Sequence, residues 1–156
     1  MVGGESGTLE RVRPYLACFA SEIIHCGDIG SGQITKILNN MVLFQTVSAL
    51  SEAWAIARNA GADPALVFEA FTKGSADSFA LRNHGLKAIL PGRFPERAFA
   101  VDYARKDLKY ALELAGDGGV NTPGAHNVME LFGRAIETGV GARYFPVISR
   151  VLNPDN

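Results

Sequence analysis

The chain has 156 residues, of which 47% are hydrophobic and 20% are charged, and its formal net charge is −1. These values are typical of a soluble globular protein with one domain, or with one domain and part of another. Basic residues are scattered along the sequence instead of forming a stripe with aromatic residues, which argues against nucleic acid as a partner.

Membrane and secretory segments are not indicated by the sequence. No run of 18 apolar residues is present, so we expect no membrane span. Residues 1–5 have neither the charged region nor the apolar region of a signal peptide. Cys18 and Cys26 lie eight residues apart without a C-x-x-C arrangement, which favours neither a disulfide framework nor zinc and predicts a cytoplasmic protein. The histidines lack the spacing of metal ligands, so we expect no metal site.

The first thirty residues resemble the end of an α/β domain. Gly3 and Gly4 follow an apolar pair, as at the end of a strand that enters a turn. The spacing of apolar residues predicts a helix over Ser6–Ala20 with Ser6 as its cap, and a short β-branched run predicts a strand over Glu22–Gly27. Such a strand cannot satisfy its backbone groups alone, so we expect the chain to be a fragment of a larger protein.

One long helix dominates the middle of the sequence. Gln33–Asn59 contains no proline or glycine, and Gly61 provides a C-terminal stop. At 1.5 Å per residue, this helix would be roughly 40 Å long. Its apolar residues cover more than one face, which is typical of the central helix of a bundle. Trp54 is expected in the core or at an interface with a second subunit.

The remainder of the chain is predicted to form shorter helices separated by proline and glycine. A capping Asp63 and Pro64 begin one helix. The full set of predicted helices is Pro64 to about Thr72, Asp77 to just before Pro91, Val101–Ala115, Pro123–Glu137 and Pro146–Leu152. The expected fold class is therefore mainly all-α.

The segment that carries recognisable chemistry is GSGQITKILNN, residues 30–40. Lys36, Asn39 and Asn40 share one helix face because they are three and four residues apart. A lysine that is partly desolvated near a helix N-terminus suits a proton donor, and Asn40 could orient a substrate oxygen. The residues alone leave a second interpretation open, in which these side chains belong to a solvated helix face.

This segment resembles the G-x-G-x-x-x-K-x-x-N-N signature of the β-hydroxyacid dehydrogenases, the 3-hydroxyisobutyrate dehydrogenase-like family. The opening MVGGESGTLERVRPYL is similar to the late Rossmann segment of that family, and IIHCGDIGSG is similar to its crossing into the helical domain. FAVDYARKDL, residues 99–108, is similar to its F-x-x-x-x-x-x-K-D-L stretch. Three motifs thus occur in the order that the family has.

The resemblance implies a domain organisation. Residues 1–29 would be the C-terminal remnant of an NAD(P)-binding Rossmann domain, which is a short α/β remnant. Residues 30–156 would be an all-helical substrate and dimerisation domain, a bundle around one long central helix like the C-terminal domain of 6-phosphogluconate dehydrogenase. The family's G-x-G-x-x-G and Ser-Gly-Gly turns would lie before Met1.

The resemblance also implies an activity. The parent protein would transfer hydride between NAD or NADP and a small 3-hydroxy acid or semialdehyde, of the 3-hydroxyisobutyrate, tartronate semialdehyde or glyoxylate type. Lys36 would be the catalytic acid/base. Substrate binding would involve Gly30, Gly32, Asn39 and Asn40, and cofactor binding would involve Lys106, Asp107 and Phe99. From the residues alone, Lys106 and Asp107 also fit a solvated helix face.

An alternative function is a non-catalytic helical dimerisation module derived from this family. Both interpretations predict a homodimer or higher homo-oligomer through the helical domain. One departure from the family is Ala142-Arg143-Tyr144, where an acidic residue usually follows the last glycine turn.

Overall fold

Helices form most of the structure, a computed structural model that describes residues 1–152. In chain order they are α1 (Ser6–Leu16), α2 (Ser31–Asn59), α3 (Pro64–Phe71), a π-helix (Leu81–Ile89), α4 (Val101–Asp117), α5 (Pro123–Glu137), a 3₁₀ turn (Phe145–Val147) and α6 (Ile148–Leu152). Within residues 1–152, β-pairing is limited to isolated bridges. Among the same residues, no helix is both long and apolar enough to cross a membrane. The mainly α fold with one long helix is as predicted.

The chain consists of two compact units, Met1–Asn40 and Met41–Asn156. In the first unit, two extended segments pair in parallel through a single bridge between Val2 and His25. The Val2 amide donates to the Ile24 carbonyl, and the Cys26 amide donates to the Val2 carbonyl, both at 2.8 Å. The strand predicted over residues 22–27 is thus reduced to one bridge, because only one short neighbouring segment pairs with it.

Helix α1 is shorter than predicted. Its N-cap is Glu5 and not Ser6, and no side chain caps it. The helix ends at Leu16, after which the Phe19 amide donates to the Leu16 carbonyl, three residues back, at 3.2 Å. Phe19 is 79% exposed. The apolar spacing had extended the prediction to Ala20, but no core faces Phe19 to hold another helical turn.

The core of the second unit is an aromatic cluster. The Phe44 ring lies 5.2 Å from the Phe145 ring, 5.4 Å from the Phe132 ring and 5.7 Å from the Phe99 ring, measured between centroids. The Phe132 and Phe145 rings meet Phe44 edge to face, an arrangement that contributes about 0.5–1.5 kcal/mol per pair beyond area burial. Phe44, Phe132 and Phe145 are fully buried. The cluster joins α2, α5, the loop before α4 and the 3₁₀ turn.

The ends of α2, α3 and α5 follow the local signals of the sequence. The Asp63 carboxylate accepts a hydrogen bond from the Ala65 amide at 2.8 Å, which caps α3 as predicted. Pro123 begins α5. Gly61 and Gly139 follow α2 and α5 with φ of +76° and +79°, values that glycine adopts without a steric cost.

The helix predicted from Asp77 to just before Pro91 is largely a π-helix. The Leu90 amide donates to the Gly85 carbonyl, five residues back, at 2.9 Å. A Cβ atom on Gly85 would lie 3.2 Å from both the Leu81 and the Phe68 side chains. The absence of a side chain therefore allows close packing against α3. Apolar spacing does not distinguish this wider helix from an α-helix.

Candidate functional site

The residues predicted for the site are distributed over both units. Gly30, Gly32, Lys36, Asn39 and Asn40 lie in the unit Met1–Asn40. The other three, Phe99, Lys106 and Asp107, lie in the unit Met41–Asn156. Each group is described within its own unit.

The start of α2 is packed tightly against the N-terminal segment. A Cβ atom on Gly32 would lie 2.8 Å from the Gly3 nitrogen and 3.1 Å from the Val2 carbonyl carbon. A Cβ atom on Gly3 would lie 2.6 Å from the Asp28 carbonyl oxygen. Since these neighbours are backbone atoms, no side-chain rotation could relieve the contact. Two glycines thus set the position at which α2 begins. Gly30 precedes it with φ of +96°, in the region that favours glycine.

The chemistry-bearing residues follow one turn later in α2. Lys36 and Asn39 are exposed, and Asn40 is 9% exposed. The Asn39 amide nitrogen donates to the Asn40 amide oxygen at 3.4 Å, a long hydrogen bond. Lys36 and Asn40 are four residues apart and therefore project from the same face of the helix. This arrangement presents an ammonium and two carboxamides together, as a group that can donate to substrate oxygens.

In the second unit, Phe99 and Asp107 are held by the core. The Phe99 carbonyl accepts a hydrogen bond from the Phe145 amide at 2.9 Å, and the Phe99 ring lies 5.5 Å from the Phe145 ring. Asp107 lies on α4 and is buried. Lys106, the next residue, is exposed and its ammonium lies 5.0 Å from the centre of the Tyr103 ring, a cation–π contact.

Lys106 also lines a surface cavity of about 540 Å³. The cavity lies between α4 and α5, and its wall includes three cationic side chains and one carboxylate, those of Arg105, Lys106, Lys109 and Asp102. Met129 and Ile136 provide an apolar side. An excess of positive charge beside an apolar surface suits part of an anionic ligand that carries a ring or chain.

A polar pair formed by the buried His84 and the partly buried Tyr144 lies in the same unit and was not predicted. The His84 Nδ1 atom, on the π-helix, is hydrogen-bonded to the Tyr144 hydroxyl. The other ring nitrogen, Nε2, is buried and has no hydrogen-bond partner among the described residues. Burial, and secondarily the charge of Lys87, lowers the pKa of His84, while burial raises the pKa of Tyr144. Tyr144 lies in the segment Ala142-Arg143-Tyr144, where the sequence departs from the family pattern. That departure was the only feature of the sequence that pointed to this pair.

The comparisons with known proteins identify the family. Residues 30–151 match a family model described as "NAD-binding of NADP-dependent 3-hydroxyisobutyrate dehydrogenase". The chain belongs to this family. The expected resemblance is therefore confirmed, and the chain contains the NAD-binding C-terminal helical domain of the 3-hydroxyisobutyrate dehydrogenase family, whose members use NAD or NADP.

Individual members of the 3-hydroxyisobutyrate dehydrogenase family match most of the chain. The 2-(hydroxymethyl)glutarate dehydrogenase of Eubacterium barkeri is 34% identical over 141 residues, covering 89% of this chain and 46% of that protein. The 2-hydroxy-3-oxopropionate reductase of Escherichia coli strain K12 is 34% identical over 139 residues, covering 89% of this chain and 47% of that protein. The chain spans about half the length of these curated relatives.

A solved structure confirms the fold. The structure of Mycobacterium tuberculosis 3-hydroxyisobutyrate dehydrogenase with L-serine superposes with a TM-score of 0.89 at 27% identity. It covers 98% of this chain, while this chain covers 54% of it. The chain therefore has the fold of the C-terminal helical domain of the 3-hydroxyisobutyrate dehydrogenase family.

Proposed function

We propose that this protein catalyses hydride transfer between NAD or NADP and a small 3-hydroxy acid or semialdehyde. The observation that carries the proposal is the group formed by Lys36, Asn39 and Asn40 in a chain that belongs to the 3-hydroxyisobutyrate dehydrogenase family. In this proposal, residues 1–29 are the end of a dinucleotide-binding Rossmann domain and residues 30–156 are the helical domain. The compartment expected for the protein is the cytoplasm.

Lys36 is the proposed acid/base. When a carbonyl substrate is reduced, negative charge develops on its oxygen, and the Lys36 ammonium donates a proton to that oxygen. In the oxidative direction the neutral amine accepts the proton from the hydroxyl group. Lys36 is exposed in the described chain. Binding of substrate and cofactor over it would remove water and strengthen its interaction with the developing charge.

The two asparagines and two glycines are proposed to position the substrate. A carboxamide offers both a donor and an acceptor, so Asn39 and Asn40 can bind a substrate carboxylate or hydroxyl while their own hydrogen bond orients them. Gly30 leaves open space at the start of α2, where a ligand could approach the backbone. Gly32, whose Cβ position is occupied by the backbone of Gly3 and Val2, is proposed to contribute by setting where α2 begins. Alignment of this kind lowers the barrier by holding the reacting groups in place.

The cofactor is proposed to contact Phe99, Lys106 and Asp107. The fit is supported by the cationic and apolar lining of the cavity that Lys106 borders, because a dinucleotide is anionic and carries flat rings. When bound, the nicotinamide supplies or accepts the hydride. Lys106 would provide charge, and the core-held Phe99 would provide an apolar contact at a fixed position.

The proposal is tested by steady-state NAD(P)⁺ reduction with the full gene product over a panel of small 3-hydroxy acids. We expect Lys36→Ala to reduce kcat by about 100-fold or more on the accepted substrate, as for loss of an acid/base. Lys36→Arg should fail similarly, since guanidinium does not release its proton near neutral pH. Lys73→Ala removes a surface lysine that is paired with Glu69 and serves as the matched control.

Retention of the wild-type rate by Lys36→Ala would refute Lys36 as the proton donor. If the wild-type protein reduces neither cofactor with any acid of the panel, the dimerisation module derived from this family becomes the better explanation. The observation that favours this second candidate is the exposure of apolar residues along α2, among them Ile34, Leu38 and Val42.

A further inference from the structure

Phe99, which is proposed to contact the cofactor, lies in a loop over residues 95–100, between the π-helix and α4. Residues 95–98 of this loop are exposed. Arg97 adopts φ of +63°, a left-handed backbone conformation that a residue other than glycine adopts only at a cost in free energy. Contacts from outside the loop are therefore needed to hold Phe99 at a fixed position.

The segment 143–145 supplies such contacts through its backbone. The Tyr144 amide donates to the Pro95 carbonyl at 3.1 Å, and the Phe145 amide donates to the Phe99 carbonyl at 2.9 Å. The ring of Phe145 also lies 5.5 Å from the ring of Phe99, measured between centroids. The two ends of the loop are thus bonded to this segment, and the position of Phe99 follows the position of the segment.

The side chain of Tyr144 connects the segment 143–145 to the π-helix. Its hydroxyl is hydrogen-bonded to Nδ1 of His84, a residue 60 positions earlier in the chain. The His84 ring lies 5.7 Å from the Tyr144 ring and 5.2 Å from the Phe145 ring. The π-helix is itself packed closely against α3 at Gly85. A series of contacts thus runs from the π-helix through His84 and Tyr144 to Phe99.

The hydrogen bond between His84 and Tyr144 adds a directional contact to this series. His84 is 8% exposed, and among residues 1–152 the Tyr144 hydroxyl is the hydrogen-bond partner of its ring. An apolar pair of similar size would fill the same space without the desolvation of two polar groups. Aromatic rings pack in several arrangements, whereas a hydrogen bond weakens steeply when its angle changes. The polar pair therefore fixes an orientation that packing alone would leave variable.

From this series of contacts we propose that His84 and Tyr144 are positioning residues, which hold Phe99 in place for the cofactor. The inference rests on the proposed function, in which Phe99 contacts NAD or NADP. Without the hydrogen bond, the segment 143–145 and the loop populate displaced positions, and the cofactor binds only the fraction of molecules that has Phe99 in place. The affinity for the cofactor falls with that fraction, whereas the bound complex, and with it kcat, is retained.

The first test is steady-state kinetics of the full gene product, with the cofactor as the varied substrate. Tyr144→Phe removes only the hydroxyl group. It should raise KM for the cofactor about five- to tenfold, as for loss of one buried hydrogen bond, and change kcat less than about twofold. Ser51→Ala is the matched control, because the fully buried Ser51 hydroxyl donates to the Val47 carbonyl within α2 at 2.7 Å. It also removes a buried hydrogen bond of the second unit and should keep the wild-type KM.

Substitutions of His84 separate the hydrogen bond from the packing. Asparagine and leucine have side chains of similar shape, but only asparagine retains a hydrogen-bonding atom near the position of Nδ1. His84→Leu should raise KM for the cofactor as Tyr144→Phe does, and the increase in His84→Asn should be smaller by about threefold or more. In the double variant with His84→Leu and Tyr144→Phe, the two increases should not multiply, because each change removes the same bond.

Hydrogen exchange of the 156-residue chain gives a readout that does not depend on turnover. The Phe145 amide, which donates to the Phe99 carbonyl, should exchange about fivefold faster or more in Tyr144→Phe, while amides in the centre of α5 change less. Ser51→Ala should not accelerate the Phe145 amide more than the amides of α5.

An active wild type whose Tyr144→Phe variant keeps the wild-type KM would overturn the inference and leave the proposed function intact. Equal increases of KM in Tyr144→Phe and Ser51→Ala would also overturn it, because they would reflect a general loss of stability. A wild type that neither binds nor reduces NAD or NADP would refute the proposed function, and the role of His84 and Tyr144 in cofactor binding would be refuted with it.

Discussion

His84 is a buried imidazole whose Nδ1 is hydrogen-bonded to Tyr144 and whose Nε2 has no hydrogen-bond partner within residues 1–152. Aromatic rings surround it, with the Phe145 ring 5.2 Å and the Phe79 ring 6.0 Å away between centroids. These surroundings favour the neutral imidazole, because burial among aromatic rings disfavours a charged ring. The pKa of His84 is accordingly lowered.

The lowered pKa of His84 predicts a pH dependence of stability. The unfolded chain, with a histidine pKa of about 6.5, binds a proton more readily than the folded chain does. The contribution of neutral His84 to the free energy of unfolding is therefore fully present above about pH 6.5. It is lost as the pH falls through the lower pKa that His84 has in the folded state. Denaturant unfolding between pH 5 and 8 should show this loss of stability. The slope of the unfolding free energy against pH should correspond to uptake of up to about one proton on unfolding.

His84→Gln removes the titrating group and should flatten this part of the stability curve. His126→Gln provides the control, since His126 is an exposed histidine on α5. If the curves of His84→Gln and the wild type have the same slope between pH 5 and 7, then another group is responsible and the interpretation of His84 is wrong.

At the scale of elements, the start of α2 depends on a close approach between two backbone segments. A methyl group on Gly32 would lie 2.8 Å from the Gly3 nitrogen, closer than real Cβ atoms come, and 3.1 Å from the Val2 carbonyl carbon, which is tighter than most real contacts. Gly32→Ala should therefore displace the N-terminal segment and destabilise the first unit by about 1–3 kcal/mol, as for overpacking. Hydrogen exchange of the Gly4 and Cys26 amides, which are bonded across this segment pair, should accelerate by about tenfold or more.

Gly133→Ala on α5 is the matched control for Gly32→Ala. A Cβ placed on Gly133 would meet no atom within 4 Å among the described residues outside the adjoining backbone of α5, and alanine is the better helix former, by about 0.8–1 kcal/mol. This variant should be as stable as the wild type or more so. Unchanged exchange at Gly4 and Cys26 in Gly32→Ala would show that the alanine methyl group is accommodated with the two segments still paired, and the prediction would be wrong.

The elements also show which boundaries a sequence encodes. Pro123 and Gly139 delimit α5 at the predicted positions because proline fixes φ and glycine permits positive φ wherever they stand. The end of α1 and the strand at residues 22–27 were predicted less well. Both depend on neighbours, a core for Phe19 and further paired segments for the strand, and apolar spacing does not report whether these exist.

At the scale of the whole molecule, α2 predicts self-association. Val42 is 58% exposed and lies four residues after Leu38, which is also exposed. Apolar residues in a series at this spacing typify an interface. We expect the chain to sediment as a dimer or higher oligomer at micromolar concentration, and Val42→Asp to sediment as a monomer. A charge buried without a partner opposes association strongly.

Leu66→Asp is the control for this experiment, because Leu66 is 65% exposed but lies on α3. It should sediment as the wild type does. Identical sedimentation of wild type and Val42→Asp, in the presence of a normal circular dichroism spectrum, would exclude the Val42 surface as the interface.

The sequence by itself determined the helical class, the long helix, most helix ends and the family. These follow from local properties, namely apolar periodicity, proline, glycine, and a motif confined to residues 30–40. Only the tertiary structure revealed the π-helix, the pairing of His84 with Tyr144 and the hydrogen bond between Phe145 and Phe99. His84 and Tyr144 are 60 residues apart. Such pairs form because folding buries distant segments against each other. The free energy of that burial depends on contacts between segments, which the local pattern of one segment does not report.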